Sequence, residues 1–157
     1  MVRRHNQRRE VPLLIMQVNV RKCSSAHDIA LFYAHKNNID ILLIQEPWIH
    51  TDLSTRKTKL HRDFEAFSPI STWNSRPRVF TYTRKKSGLR PFQVASDLSK
   101  DIVQTVITCG NNRKFPIWNI YNAPTGSVDA GVGLSTLLHC TETPFFIGGD
   151  FNLRHPL

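Results

Sequence analysis

Apolar stretches alternate along the chain with polar segments rich in turn residues, and the periodicity switches between strand and helix. Leu13-Leu14-Ile15-Met16-Gln17-Val18-Asn19-Val20 reads as a largely buried strand, rich in branched residues and polar towards its end. Ser25-Ala26-His27-Asp28 has the form of a capping box, with Asp28 in place of the usual Glu. From Ala26 to Asn38 the residues Ile29, Phe32, Tyr33 and Lys36 then recur at helical spacing, and Asn37-Asn38 ends that helix. Ile39 to Gln45 is a second apolar run, too short for a helix and of strand length. A strand, a crossover helix and a strand so close together predict a parallel pair with a right-handed crossover.

A polar, basic loop follows from Trp48 to Arg62, with room for a short helix. The pattern then turns to strands: Ala66 to Ile70, Arg78 to Arg84, Phe92 to Ala95, Ile102 to Thr108, and Phe115 to Tyr121. Pro69, Pro77, Gly88, Pro91, Gly110 and Pro116 punctuate them. Ser127 to Cys140 predicts a helix weakened by Gly131 and Gly133, and Pro144 to Gly148 a last buried strand. No repeat and no linker interrupts this order. The fold class is α/β with a mixed sheet, in one domain over residues 11–157 preceded by a basic extension over residues 1–10.

Composition narrows the class. The 157 residues are 40% hydrophobic and 10% aromatic, which excludes disordered and low-complexity chains. No apolar run approaches the roughly 18 residues needed to span a bilayer. The run Val11 to Val20 is broken by Pro12, Gln17 and Asn19, so it makes a poor signal peptide. An intracellular, non-secreted chain is expected, with no membrane partner. Cys23, Cys109 and Cys140 are odd in number and widely spaced, which suits small buried thiols better than disulfides or a zinc site.

Charge is placed unevenly. Lys and Arg number 21 against 12 Asp and Glu, for a net charge of +9. Met1 to Pro116 holds 20 of the basic residues and 9 of the acidic ones; after it the only basic residue is Arg154. The clusters are Arg3, Arg4, Arg8 and Arg9; Arg56, Lys57, Lys59 and Arg62; and Arg76, Arg78, Arg84, Lys85, Lys86 and Arg90. Such a surface attracts polyphosphate through counterion release, although a solvated, solubilising face would look the same. The Arg-rich start is compatible with a nuclear address.

Four polar signals lie at or just past the ends of apolar strands: Asn19, Glu46 in Gln45-Glu46-Pro47, Tyr121-Asn122, and Asp150 with Asn152. Each alone has a dull explanation as a strand end, a surface loop, a core tyrosine or a turn. Together they point to one edge of a layered sheet, where ligands bind. Gln17-x-Asn19, Gln45-Glu46-Pro47, Asn119-Ile120-Tyr121-Asn122-x-Pro124 and Gly148-Gly149-Asp150-Phe151-Asn152 resemble the first motifs of the endonuclease/exonuclease/phosphatase superfamily. The wording is most similar to the endonuclease domains of LINE-type (non-LTR) retrotransposons, in Ile44-Gln45-Glu46-Pro47-Trp48 and in Gly149-Asp150-Phe151-Asn152-Leu153-x-His155-Pro156.

The resemblance implies a four-layer α/β sandwich, two mixed sheets flanked by helices, and Mg²⁺-dependent phosphodiester hydrolysis on DNA. Mn²⁺ is an expected substitute for Mg²⁺, and no small-molecule cofactor is expected. It also implies roles. Glu46 is the metal carboxylate with Asn19 beside it, Asp150 positions the attacking water, Asn152 donates its amide to the scissile phosphate, and Tyr121 bonds the same phosphate. These types suit the chemistry, since a hard cation takes oxygen ligands and a neutral amide does not repel a phosphate. Arg56, Lys57, Lys59, Arg84, Lys85 and Lys86 are the candidate nucleic-acid contacts, and a reverse transcriptase domain is a conceivable neighbour in a parent element.

The family pattern continues past Gly-Asp-Phe-Asn with a further strand layer, a Ser-Asp-His-like terminus and an Asp that orients the His. Domains of this kind run about 200–250 residues, so roughly a third is expected to be absent, leaving an incomplete C-terminus, an exposed inner sheet face and crippled catalysis. In the resembling elements His155 is not the catalytic His, and it receives no role. His5, His27, His35, His50, His61 and His139 read as ordinary surface or helix residues. Two alternatives stay open: a phosphatase or phosphodiesterase on small phosphoesters, and a non-catalytic basic module that binds nucleic acid.

Overall fold

The first strand, β1 (Ile15–Asn19), leads into α1 (Ser24–Lys36) and returns as β2 (Ile41–Gln45). The two strands are parallel, with Ile15 opposite Ile41 and Asn19 opposite Gln45, as the strand–helix–strand pattern requires. The structure is a computed structural model that describes residues 12–52, 55–73, 75–86, 88–110, 112–140 and 143–153. The basic extension, its four arginines and His155 lie outside the described residues. The expected loop after Trp48 is instead a hairpin of β3 (Ile49–Asp52) and β4 (Thr55–Thr58), with no helix in it. β5 (Phe64–Phe67) and β6 (Val79–Arg84) complete the first sheet in the order β1-β2-β6-β5.

The second sheet is a meander of β7 (Leu89–Ala95), β8 (Ile102–Cys109) and β9 (Arg113–Tyr121), joined by β10 (Phe146–Asp150) in the order β10-β9-β8-β7. β10 lies parallel to β9 and the other pairs of this sheet are antiparallel, while in the first sheet β2–β6 and β5–β6 are antiparallel beside the parallel β1–β2, so both sheets are mixed. A short helix, α2 (Val132–Leu138), packs against β9 and β8. Because side chains alternate along a strand, β2 serves two cores at once. Leu42 and Ile44 meet Ala30, Leu31 and Ala34 of α1, while Ile41 and Leu43 meet Ile107 and Ile117 of the second sheet. Helix, sheet, sheet and helix form the four layers of an α/β sandwich. Ile41 and Leu43 are fully buried by the second sheet, so the expected exposure of the inner face does not occur there.

α1 departs from its sequence pattern. Its N-cap is Cys23, with no side-chain cap, and Ser25 sits inside the first turn. Arg21 and Lys22 both have left-handed backbones, φ 50° and 58°, which turn the chain into the helix earlier than the apparent capping box would. The helix faces the sheet with His27, Ala30, Leu31 and Ala34, leaving Ile29, Phe32 and Tyr33 more than half exposed. Small Ala30 and Ala34 admit a close approach to the sheet that the aromatic stripe would not. His27 is therefore no surface residue: it is fully buried and hydrogen-bonded to Tyr82 and to the Trp48 amide. All three cysteines are free, but Cys23 is exposed and the others half-buried, not buried as expected.

Candidate functional site

Parallel pairing puts the ends of β1 and β2 on one edge of the first sheet, and the ends of β9 and β10 on one edge of the second. Face-to-face packing makes the two edges coincide. Asn19 Nδ2 donates to Asp150 Oδ2 at 2.8 Å, a bond between residues of the two sheets. Asn19 Oδ1 accepts from the Arg21 amide at 2.8 Å, which fixes the side chain's orientation. Glu46 follows β2 with a left-handed φ of 47°, its amide bonded to the Arg78 carbonyl and its own carbonyl to the Lys22 amide. Its carboxylate is mostly shielded from solvent and has a half-exposed Lys22 ammonium 3.5 Å away.

Asn152 is held equally firmly. Its φ is 46°, its amide donates to Asp150 Oδ1 at 3.2 Å, and its Nδ2 donates to the Asn122 carbonyl at 2.8 Å. Asn122 ties the region to α2: it accepts from the Leu134 amide at 3.1 Å and donates to the Phe151 carbonyl at 2.9 Å. A cleft of about 360 Å³, lined by Pro124, Thr125, Asn152 and Leu153, opens beside these groups. A larger cavity of about 500 Å³ between β7, β8 and α2 is lined by His139 and Cys140 among mainly apolar and hydroxyl groups, and holds none of the predicted residues.

The close approach of β10 explains the glycines before Asp150. A Cβ on Gly148 would stand 2.6 Å from Leu43 Cδ1, and one on Gly149 would stand 2.2 Å from the Ile120 carbonyl oxygen. Only glycine admits the strand this near, and nearness is what brings Asp150 to Asn19. Beneath the edge, Gln17 Nε2 donates to Gln45 Oε1 at 2.7 Å, and Gln45 Nε2 to Asn119 Oδ1 at 2.6 Å. Asn119 Nδ2 then donates to the carbonyls of Phe80 and Ile44. Gln17, Gln45 and Asn119 of the sequence motifs are thus a supporting layer.

Tyr121 is buried at the same edge. Burial raises its phenol pKa above the ordinary value; the Glu46, Asp150 and Asp101 carboxylates add to this, while Arg78 opposes it. The Arg78 guanidinium lies 5.0 Å from the Tyr121 ring centroid and grips Asp101 with both arms, at 2.5 and 2.6 Å. Burial would lower the Arg78 pKa, but hydrogen bonds and attraction from Asp101 outweigh it and raise it. Arg78, which the sequence groups with a basic surface cluster, stands instead at this edge. The signal was available: an antiparallel strand starting at Val79 begins where its parallel neighbours end.

The six basic candidates divide. Lys57 is exposed on the β3–β4 hairpin, which follows Glu46-Pro47-Trp48, and Lys59 sits 4.6 Å over the Trp48 ring while pairing with Asp28 at 2.6 Å. Arg56 belongs to the same hairpin. Arg84, Lys85 and Lys86 end β6 at the opposite edge of the sheet, where Arg84 bonds the Ala34, His35 and Ile39 carbonyls and Lys86 pairs with Asp40 at 2.5 Å. Two histidines expected to be ordinary also meet at that far edge, His35 and His61, beside Asp63.

This arrangement has the fold of the endonuclease/exonuclease/phosphatase superfamily. Among solved structures, the endonuclease domain of TRAS1, a telomere-specific non-LTR retrotransposon, is similar with a TM-score of 0.70 and 17% identity. The match covers 92% of this chain and 61% of that one. An endonuclease/exonuclease/phosphatase family protein from Leptotrichia buccalis C-1013-b is similar at a TM-score of 0.52 and 15% identity, over 88% of this chain and 66% of its own. The chain thus spans less than two-thirds of the length of either. The sequence matches no protein-family model and no curated protein. Among the described residues no helix is long and apolar enough to cross a membrane.

Proposed function

We propose that the chain is a divalent-metal-dependent phosphodiesterase acting on DNA, in the manner of a retroelement endonuclease. The observation that carries this reading is the Asn19–Asp150 hydrogen bond, which joins the Glu46 edge of one sheet to the Asp150–Asn152 edge of the other. The donor set fits Mg²⁺: the carboxylates of Glu46 and Asp150 and the amide oxygen of Asn19 are all hard oxygens, and one or two carboxylates suffice for that ion. When bound, Mg²⁺ or Mn²⁺ would supply neutralisation of the charge that develops on the phosphate.

The chain's own residues do the rest. Asp150 accepts one hydrogen bond on each oxygen and keeps lone pairs to orient a water. Asn152 spends one amide hydrogen on Asn122 and has a second for a phosphate oxygen. The Tyr121 hydroxyl, kept protonated, is a further donor. Among the described residues, the hydrogen bonds of Asn19, Asp150 and Asn152 involve no histidine, and a general acid–base is worth about 10²–10⁴-fold in rate. The hypothesis is slow cleavage.

Nicking of supercoiled plasmid in Mg²⁺ tests it, beside chelator, Asp150→Ala and Glu46→Gln. Weak nicking that needs the metal and both carboxylates is expected. Nicking that ignores chelator and both substitutions would overturn it. Salt-sensitive DNA binding with no cleavage would favour the non-catalytic module instead.

A further inference from the structure

We infer that His35, His61 and Asp63 form a second metal site, for a borderline cation of the zinc type, at the edge of the molecule opposite the carboxylates. Their ligating atoms all lie within 4.8 Å of one another. His35 is in the last turn of α1, eleven residues on from Ser24, so the site stands about 17 Å along the helix from the loop that wraps Glu46. His61 and Asp63 lie in the segment between β4 and β5.

The geometry points to a shared ligand more than to a simple ion pair. His35 Nδ1 is closed off from solvent and makes no aligned hydrogen bond, although Asp63 Oδ2 is 2.8 Å away. The same Oδ2 is 4.0 Å from His61 Nδ1, which accepts the Asp63 amide at 3.2 Å, a bond that ligation through Nδ1 would displace; the two imidazole rings stand 4.9 Å apart, tilted by 38°. Arg62 lies 3.6 Å from the other oxygen, Oδ1, which leaves Oδ2 turned towards both rings. A cation with bonds of about 2.0–2.1 Å would set its ligands roughly 3.4 Å apart. The two distances to Asp63 Oδ2, 2.8 and 4.0 Å, bracket that spacing.

The scaffold is already fixed. The Phe64 amide donates to the His61 carbonyl, the Lys85 amide to the Asp63 carbonyl, and Arg84 to the His35 carbonyl. Arg62 and Arg84 put positive charge nearby, which moderates affinity. Two nitrogens and one oxygen favour Zn²⁺, Co²⁺ or Ni²⁺ over Mg²⁺, and three protein ligands leave coordination open to water. The chain would thus sort two kinds of cation to two opposite edges by ligand hardness.

The test is calorimetric titration of the untagged full chain with Zn²⁺ and, separately, Mg²⁺. One equivalent of Zn²⁺ is expected at this site, unchanged by Glu46→Gln. Affinity should fall roughly 100-fold in His61→Asn and in Asp63→Asn, two loop substitutions that spare α1. Saturating Zn²⁺ should raise the thermal midpoint of the parent chain by roughly 5–10 °C and leave those variants unmoved. Co²⁺ should give a visible band without thiolate charge transfer. Absent saturable binding, binding that survives both substitutions, or binding abolished by Cys23→Ser would each overturn the site.

Discussion

His27 shows how much one buried side chain can dictate. The Trp48 amide donates to its Nδ1, so the proton sits on Nε2 and is given to Tyr82, whose hydroxyl passes its own to the Lys59 carbonyl. Burial pushes its pKa down to about 4. An unfolded histidine takes a proton near pH 6.5, whereas this one stays neutral until pH 4. Stability is therefore full above pH 6.5 and drains as pH falls towards 4, by about 3 kcal/mol at the bottom of that window. Urea midpoints measured across this range should show the loss, and His27→Gln should flatten it. Glu46 poses a different residue-scale problem, since its left-handed backbone suits glycine and costs of order 1 kcal/mol. Glu46→Gly is expected to raise the thermal midpoint by roughly 2–4 °C while abolishing any metal-dependent nicking. The substitution also removes the ion pair with half-exposed Lys22, which contributes little to stability.

At the scale of elements, β10 carries the sharpest prediction. Gly149→Ala would drive a methyl group into the rigid Ile120 carbonyl and should cost more than about 2 kcal/mol, whereas Gly148→Ala meets a movable Leu43 side chain and should cost nearer 1. Denaturant midpoints of the two variants distinguish them. The same strand is legible in the sequence, as are β1, β2, β6, β8 and β9, because branched residues and punctuating Pro and Gly bound them. α1 is legible as a helix but not in its orientation. Ile29, Phe32 and Tyr33 look like a core stripe, yet a hydrogen-bonded histidine and two alanines pack instead, which depends on partners distant in sequence. The β3–β4 hairpin escapes notice because its charged residues mimic a solvated loop. Arg78 escapes for a related reason: the buried Asp101 that makes it a site residue is 23 positions away.

For the whole molecule, topology decides which charges can cooperate. The β3–β4 hairpin follows Glu46-Pro47-Trp48 directly in the chain, whereas Arg84, Lys85 and Lys86 lie at the other end of the sheet. If DNA lies along the carboxylate edge, Lys57→Ala should reduce the salt slope of binding by about 1, while Lys85→Ala leaves it unchanged. Anisotropy titrations with a labelled duplex at several salt concentrations measure both. The candidate groups come from two separate sheets, and apolar faces alone would let those sheets slide past each other at small cost. The run of amides from Gln17 through Gln45 to Asn119 crosses that plane, and Asn119 donates back across it to the Phe80 and Ile44 carbonyls. It works as an alignment pin: any shift by one residue strands a buried amide, so sliding becomes all or nothing. Side chains on either rim therefore keep their spacing even where they do not touch.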